Sequence, residues 1–352
     1  MQRRKLLILY TEPANYTIAC LRALDPQKVE VHFVRWPVNK EAPFRFSFPE
    51  NVRVYERSDY NGQQLLSLAE KIAPDAILCS GWIDKEYLAV CRAFAKKAVT
   101  ILTMDNKWQG TLRQRLATIV ARFRFLPVFR FIWVPGGPQK RFAQKLGFPE
   151  RRIRTGFYSA DVPFFRGIFL SSREKKQQHF PHRVIYAGRY YEFKGVQELW
   201  KAFAKTSDES GSDWELWCLG TGDAVPAKHP KIRHFGFVQP SEMEAFLRDT
   251  GVYVLPSRVE PWGVAVHEFA AAGFPLLLSR NVGAAAAFLD EGKNGFTFSA
   301  ASEDELVAVF RRLFQLDDAT LAAMGERSAE KAVQITPATW AETLQEMIEQ
   351  QP

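Results

Sequence analysis

Three short segments in the second half of the 352-residue chain carry the residue types that handle phosphate and sugar. Ala187-Gly188-Arg189 is followed by Lys194-Gly195, and His234-Phe235-Gly236-Phe237-Val238 comes next. The third runs Pro256-Ser257-Arg258-Val259-Glu260-Pro261-Trp262-Gly263-Val264-Ala265-Val266-His267-Glu268. Arg189 and Lys194 are cations just after a strand, of the kind that can pair with phosphate oxygens. The turn that holds Trp262, itself expected to contact substrate, leads into a helix starting near Gly263, and the amides of Gly263 and Val264 at such a start can bind phosphate oxygens, helped by the helix dipole. Glu260 lies in the loop before that helix and Glu268 about a turn and a half into it. The two carboxylates therefore reach different parts of one extended ligand, and a carboxylate accepting from two hydroxyls reads a ribose or a hexose.

Taken singly, these residues are commonplace. A lone Arg or Lys after a strand is ordinarily a solvated charge, and Glu pairs at this spacing abound. The reading rests on their joint placement at strand ends. Gly220-Thr221-Gly222 fits a plain turn as well as a phosphate contact. His267-Glu268 begins like a zinc motif, but position 271 is Ala271 and not a second His. No D-x-D occurs, and this site requires no divalent ion.

The elements that must position these segments are strands alternating with amphipathic helices, the signature of parallel sheets. Strands are predicted at 6–10, 29–35, 76–80, 99–103 and 131–135, with helices at 16–24, 62–72 and 86–96 between them. A polar stretch from Ser171 to Arg183, rich in Lys, Gln, Ser and His, reads as an inter-domain linker. A second series follows, with strands at 184–187, 214–219, 232–235, 252–256 and 275–279 and helices at 196–204, 241–249, 263–272, 302–316 and 319–333. Ser302-Glu303-Asp304-Glu305 has the form of a capping box. The domains are thus 1–165 and 183–335, both doubly wound Rossmann-like α/β units, with a last helix at 338–352 that can pack back on the first. Two such sheets in series place a ligand cleft where the carboxyl ends of their strands face each other. All three chemical segments sit just after strands of the second sheet, at an edge that can hold a nucleotide diphosphate.

With 47% hydrophobic and 24% charged residues the chain has the composition of a globular protein, which excludes disordered and disulfide-scaffold classes. Cys20, Cys79, Cys91 and Cys218 form no C-x-x-C pair and read as buried thiols in a reducing compartment. The apolar run after Met1-Gln2-Arg3-Arg4-Lys5 is too short for a secretory signal, so a cytoplasmic location is expected. The net charge of +8 calls for nucleic acid, an anionic membrane surface or an anionic substrate. No nucleic-acid motif accompanies it, so no nucleic-acid partner is expected.

The first domain offers two further features. Asp105, after the strand at 99–103, can orient an acceptor hydroxyl or cap the helix starting near Thr111. Leu112, Leu116, Ile119, Val120 and Phe123 then form an apolar stripe flanked by Arg113, Arg115, Arg122 and Arg124. Such a helix either lies on an anionic membrane or faces the core with a solvated rim.

The glutamate spacing, together with Gly188-Arg189 and Lys194-Gly195, resembles the retaining glycosyltransferases of family 4, whose GT-B fold has two Rossmann-like domains facing each other across a cleft. The likeness covers Val184 to about Phe298, and the first domain in strand order and length. It implies that Arg189 and Lys194, with Gly188, bind the donor diphosphate, that Glu260 contacts the transferred sugar, and that Glu268 binds the ribose. It places backbone near Phe237 and Val238 at the base. Two stretches depart from the family pattern: Tyr10-Thr11-Glu12-Pro13-Ala14-Asn15-Tyr16 replaces a glycine-rich loop, and 283–289 lacks an acidic residue near Ala287. What the resemblance implies is a retaining, metal-independent hexosyltransferase with a UDP- or GDP-linked donor and no cofactor. Its acceptor would be a glycan or lipid-linked glycan in cell-surface polysaccharide assembly, at the inner face of the cytoplasmic membrane. A GT-B nucleotide-sugar 2-epimerase and a non-catalytic nucleotide-sugar-binding relative are the alternatives. A nicotinamide dehydrogenase is disfavoured, because no G-x-G-x-x-G follows the first strand.

Overall fold

The computed structural model describes residues 3–37, 44–300 and 302–350. It divides into two compact units, Met1–Ser159 with Ile335–Pro352, and Ala160–Gln334. In chain order the first unit contains β1 (Arg4–Leu9), α1 (Asn15–Arg22), β2 (Val29–Arg35), β3 (Val52–Glu56), α2 (Gly62–Ile72), β4 (Ala76–Ser80), α3 (Lys85–Phe94), β5 (Val99–Thr103), α4 (Leu112–Arg124), β6 (Phe131–Trp133), α5 (Gly137–Lys145) and β7 (Ile153–Arg154). The strands form one parallel sheet in the order β3-β2-β1-β4-β5-β6-β7. Side-chain alternation sends Leu7, Leu9, Ile77 and Cys79 to one face, under α2 and α3, and Leu6, Ile8, Leu78 and Ile101 to the other, under α1. The apolar stripe of α4 does not join either core: Ala121 is the buried residue of that helix. The core-facing reading of the stripe is therefore replaced by an exposed one.

The second unit contains α6 (Val162–Gln178), β8 (Arg183–Ala187), α7 (Val196–Ser210), β9 (Glu215–Leu219), β10 (Ile232–Gly236), α8 (Met243–Asp249), β11 (Val252–Leu255), α9 (Val264–Ala271), β12 (Leu276–Ser279), α10 (Ala285–Phe288), β13 (Gly295–Phe298), α11 (Glu303–Phe314) and α12 (Asp318–Ala332). Its parallel order, β10-β9-β8-β11-β12-β13, reverses direction between β8 and β11. Strands β11 and β12 are buried along their whole length, which explains their largely apolar sequence. Ser302 caps α11 by accepting from the Glu305 amide, while the Glu305 carboxylate accepts from the Ser299 amide rather than closing the box on Ser302. The final helix, α13 (Pro337–Glu349), belongs to the first unit. Trp340 stacks on Trp133 at 5.0 Å, and its Nε1 donates to the Phe157 carbonyl at 2.8 Å.

The linker expected at Ser171–Arg183 is corrected. Residues through Gln178 are the second half of α6, and the division between units falls at Ser159/Ala160 rather than near 165. The stretch looks like a linker because its buried anchor is a lysine. Lys176 donates to the Leu247 and Thr250 carbonyls at 2.8 Å each and lies over the Phe274 ring, and burial pushes its amine down to about 7.

His182, just before β8, stacks on Trp214 and bridges two carboxylates, Asp213 and Asp318, both at 2.9 Å. Burial works against its protonation, but hydrogen bonds to the two carboxylates outweigh it and raise its pKa. The stability this group contributes is complete below its unfolded value of about 6.5 and is lost as pH rises through the higher folded value. The melting-temperature advantage of the parent protein over His182→Gln should therefore shrink between acidic and mildly alkaline pH; a constant difference would exclude a protonated bridge.

Candidate functional site

At the reversal between β8 and β11 the chain leaves two adjacent strands in opposite lateral directions, opening a crevice at their carboxyl ends. The turn after β8 is built on close main-chain contacts. The Gly188 amide donates to the Leu219 carbonyl at 2.9 Å, and the Tyr186 hydroxyl donates to the Arg189 carbonyl at 2.8 Å. Gly220, at φ +142°, passes so near that a Cβ there would lie 1.9 Å from the Gly188 carbonyl oxygen. A Cβ on Gly222 would lie 2.8 Å from the Tyr190 backbone. The Gly220-Thr221-Gly222 pair is therefore a close-approach device that carries the Arg189 turn from beneath. The Arg189 guanidinium sits 5.9 Å from the centre of the Tyr191 ring.

The next turn, Glu192–Lys194, ends on Gly195 at φ +69°, where a Cβ would fall 2.5 Å from the Pro256 carbonyl oxygen. This contact joins the segment after β8 to the loop after β11. Arg258 reinforces it: its amide donates to the Phe193 carbonyl at 2.8 Å, and its guanidinium pairs with Glu192 at 3.2 Å and Glu198 at 2.5 Å. Across the joint Lys194 Nζ donates to Glu260 Oε2 at 2.5 Å, and Ser257 Oγ donates to the same oxygen at 3.2 Å. The Glu260 carbonyl accepts from the Gly283 amide at 3.1 Å. Gly263, at φ +94°, starts α9 with its Cα packed against Glu260, and a Cβ there would be 3.0 Å from Glu260 Cγ.

The structure thus brings Gly188, Arg189, Lys194, Glu260, Gly263 and Val264 onto neighbouring turns of one sheet edge. Glu268 lies farther along α9, half-buried. Burial first, and then the charge of Asp161, push its carboxyl up to about 7. Phe237 and Val238 follow β10 and are half-buried, tied to the site through the hydrogen bond from the Gly220 amide to the Gly236 carbonyl at 2.7 Å.

Trp262 corrects an expectation. Its indole is buried, edge-on to Phe288 at 6.1 Å, so the side chain serves the core, while its carbonyl accepts from the Ala284 amide at 2.9 Å. His267 is likewise structural: Nδ1 accepts from the Ala160 amide at 3.0 Å, and Nε2 donates to the Ala332 carbonyl at 2.8 Å. Asp105 lies in the first unit, where the Tyr158 hydroxyl donates to it at 3.5 Å. It does not cap α4; Thr111 does, accepting from the Gln114 amide. Sequence reading missed Ser257 and Arg258 as supports of Glu260 and Lys194, although both stand inside the segment that drew attention. It also missed Asp161, distant in sequence and legible only once α6 packs beside α9.

An open parallel sheet with a cationic glycine turn after its first strand and a helix start after its fourth has the edge at which α/β units of this kind bind anionic ligands. Residues 181–316, which lie within the second unit, match the family model described as Glycosyl transferases group 1. Over 188 residues the chain is 28% identical to the glycogen synthase of Mycobacterium tuberculosis, covering 51% of this chain and 42% of that protein. The chain thus spans less than half the length of that relative. Over 99% of both chains it superposes on sucrose-phosphate synthase from Thermosynechococcus elongatus, with TM-score 0.74 and 14% identity. HepE of Anabaena, solved in complex with UDP, superposes with TM-score 0.70 and 14% identity over 98% of this chain and 99% of that one. The fold is that of the GT-B glycosyltransferases.

Two substitutions test the geometry. Gly220→Ala should cost about 2 to 4 kcal/mol in urea unfolding, because the added carbon meets a fixed carbonyl; a neutral effect would refute the close approach. Glu268→Gln should leave the melting temperature nearly unchanged near the unfolded carboxyl pKa of about 4.3 and raise it progressively toward pH 8, where the buried charge is fully formed. A pH-independent difference would contradict the raised pKa.

Proposed function

We propose that the protein is a retaining, metal-independent glycosyltransferase. It moves a hexosyl group from a nucleoside diphosphate donor to a hydroxyl of a glycan or lipid-linked glycan, in cell-surface polysaccharide assembly. The observation that carries this reading is the joint at the β8/β11 crevice, where Lys194, Glu260 and the start of α9 meet beside the Arg189 turn. Each residue has a distinct task. Arg189, Lys194 and the first amides of α9 hold the diphosphate, Glu260 holds the transferred sugar, and Glu268 holds the ribose. Lys194 has three N–H donors, so it can keep Glu260 on one and offer another to a phosphate oxygen. Among donors, a uridine nucleotide is favoured over guanosine because the fold neighbour HepE was solved with UDP.

In the reaction the bond from the anomeric carbon to the diphosphate oxygen breaks while the acceptor oxygen bonds that carbon from the same face. The acceptor proton passes to the leaving phosphate oxygen. Negative charge grows on that oxygen, and at an effective dielectric near 20 each cation about 4 Å away contributes about 4 kcal/mol before desolvation and screening. Each ~1.4 kcal/mol retained is tenfold in rate.

Arg189→Ala and Glu260→Ala should each lower donor hydrolysis or transfer at least tenfold, measured as release of nucleoside diphosphate from UDP- and GDP-sugars. Unchanged turnover in both would refute the site. UDP should raise the melting temperature of the parent protein, and less so that of Arg189→Ala. Release of a free epimerised sugar nucleotide without acceptor would identify the 2-epimerase instead, and nucleotide binding with no turnover would identify a non-catalytic relative.

A further inference from the structure

Between Asp105 and Glu150 the sequence has no Asp or Glu and nine Lys or Arg, one more than the formal net charge of +8 for the whole chain. The rest of the protein is therefore almost neutral, and its basicity has one address. Helix α4 lies within that stretch, with its large apolar side chains in water: Leu112 is 78% exposed, Leu116 65%, Ile119 61%, Val120 51% and Phe123 81%. At about 100° per residue these five fall in one sector about 100° wide. Arg113 and Arg124 border the sector on one side, and Arg115 and Arg122 on the other, all four exposed. The opposite face holds Ala121, which is buried, and Gln114, which is half-buried. Gln114 accepts from the Gln109 and Gly110 amides at 2.7 and 3.1 Å and donates to the Lys107 carbonyl at 2.9 Å. Just past the helix, Phe125 stacks on Trp82 at 5.3 Å. The helix is thus fastened along its back, and the apolar stripe faces outward.

We propose that this face of α4 docks on an anionic lipid bilayer, with the five apolar side chains entering the headgroup boundary and the four arginines meeting lipid phosphates. The charge pattern selects this occupant. Duplex or single-stranded nucleic acid would satisfy the arginines and leave Leu112, Leu116 and Phe123 in water. A second copy of the face would oppose four arginines with four arginines. A bilayer surface takes both components at once, and a helix with an apolar sector between basic margins lies in its plane. No helix among the described residues is long and apolar enough to cross a membrane. The proposal does not depend on the transferase reading, because no donor-site residue takes part.

The test is sedimentation of the full chain with vesicles of phosphatidylcholine alone and of phosphatidylcholine mixed with phosphatidylglycerol. Binding to the mixed vesicles should be at least tenfold stronger and should fall with salt. At about fivefold per arginine near the surface, the double change Arg113→Gln with Arg124→Gln should lower it more than tenfold. Leu116→Ser with Phe123→Ser should lower binding to both vesicle types. The UDP-induced melting shift should be the same in both variants as in the parent, which separates this outcome from that of the donor site. Absence of binding, equal binding to the two vesicle types, or parent-like binding by both variants would overturn the proposal. So would a concentration-dependent dimer dispersed by Phe123→Ser, or tighter binding to duplex DNA than to mixed vesicles.

Discussion

The contact of Gly195 with the Pro256 carbonyl is the constraint on which the site depends. Two loops that leave neighbouring strands in opposite directions can place their side chains together only if their main chains touch, and here a methyl group would already overlap an oxygen. Glycines at 188, 195, 220 and 263 remove the bulk where approach is closest, and Tyr186, Ser257 and Arg258 supply the hydrogen bonds that hold it. Lys194 and Glu260 are consequently fixed from opposite sides of one crevice.

The electrostatics follow from that placement. The Lys194–Glu260 pair is partly shielded, with side-chain exposures of 20% and 14%, so much of its Coulomb attraction is offset by desolvation. Its worth lies in position: the ammonium is held at the crevice and the carboxylate keeps one orientation, which reduces reorganisation when an anionic ligand arrives. Glu268 stands in a different environment, where burial and a like charge on Asp161 push its carboxyl up to about 7. An incoming ribose would supply hydroxyl donors to that carboxylate and favour its charged form. On the first unit, α4 arranges charge for a different end, with arginines at the margins of an exposed apolar sector.

Much of this architecture is legible in sequence because buried parallel strands announce themselves. Val29–Arg35, Ala76–Ser80 and Val99–Thr103 are read to the residue, the first because Val29, Val31 and Phe33 alternate with polar residues and the other two because short, largely apolar runs between amphipathic segments leave little freedom. Strand β3 escapes because it is an edge strand in which Arg53 and Val54 are exposed, and β7 because it is two residues long. The second half of α6 escapes because its buried residues are Ser172 and the stem of Lys176 rather than large apolar side chains. In the candidate site, cations and glutamates are visible as types at a spacing, but the partners of each are not. Gly220 and Gly222 fit a plain turn and a phosphate contact equally well in sequence, until the end of β9 brings them against Gly188 and Tyr190. Trp262 stands in the turn between Glu260 and α9, and only its burial against Phe288 reveals that the ring belongs to the core. The orientation of the α4 stripe is undecided by periodicity, which reports that one face is apolar without saying what covers it.

The most direct measurement of the central claim is a crystal structure of the protein with a nucleoside diphosphate bound. The account predicts phosphate oxygens about 3 Å from the Arg189 guanidinium, Lys194 Nζ and an amide at the start of α9, with the ribose hydroxyls on Glu268. A nucleotide bound away from the β8/β11 crevice, with Lys194 and Glu260 untouched, would contradict it.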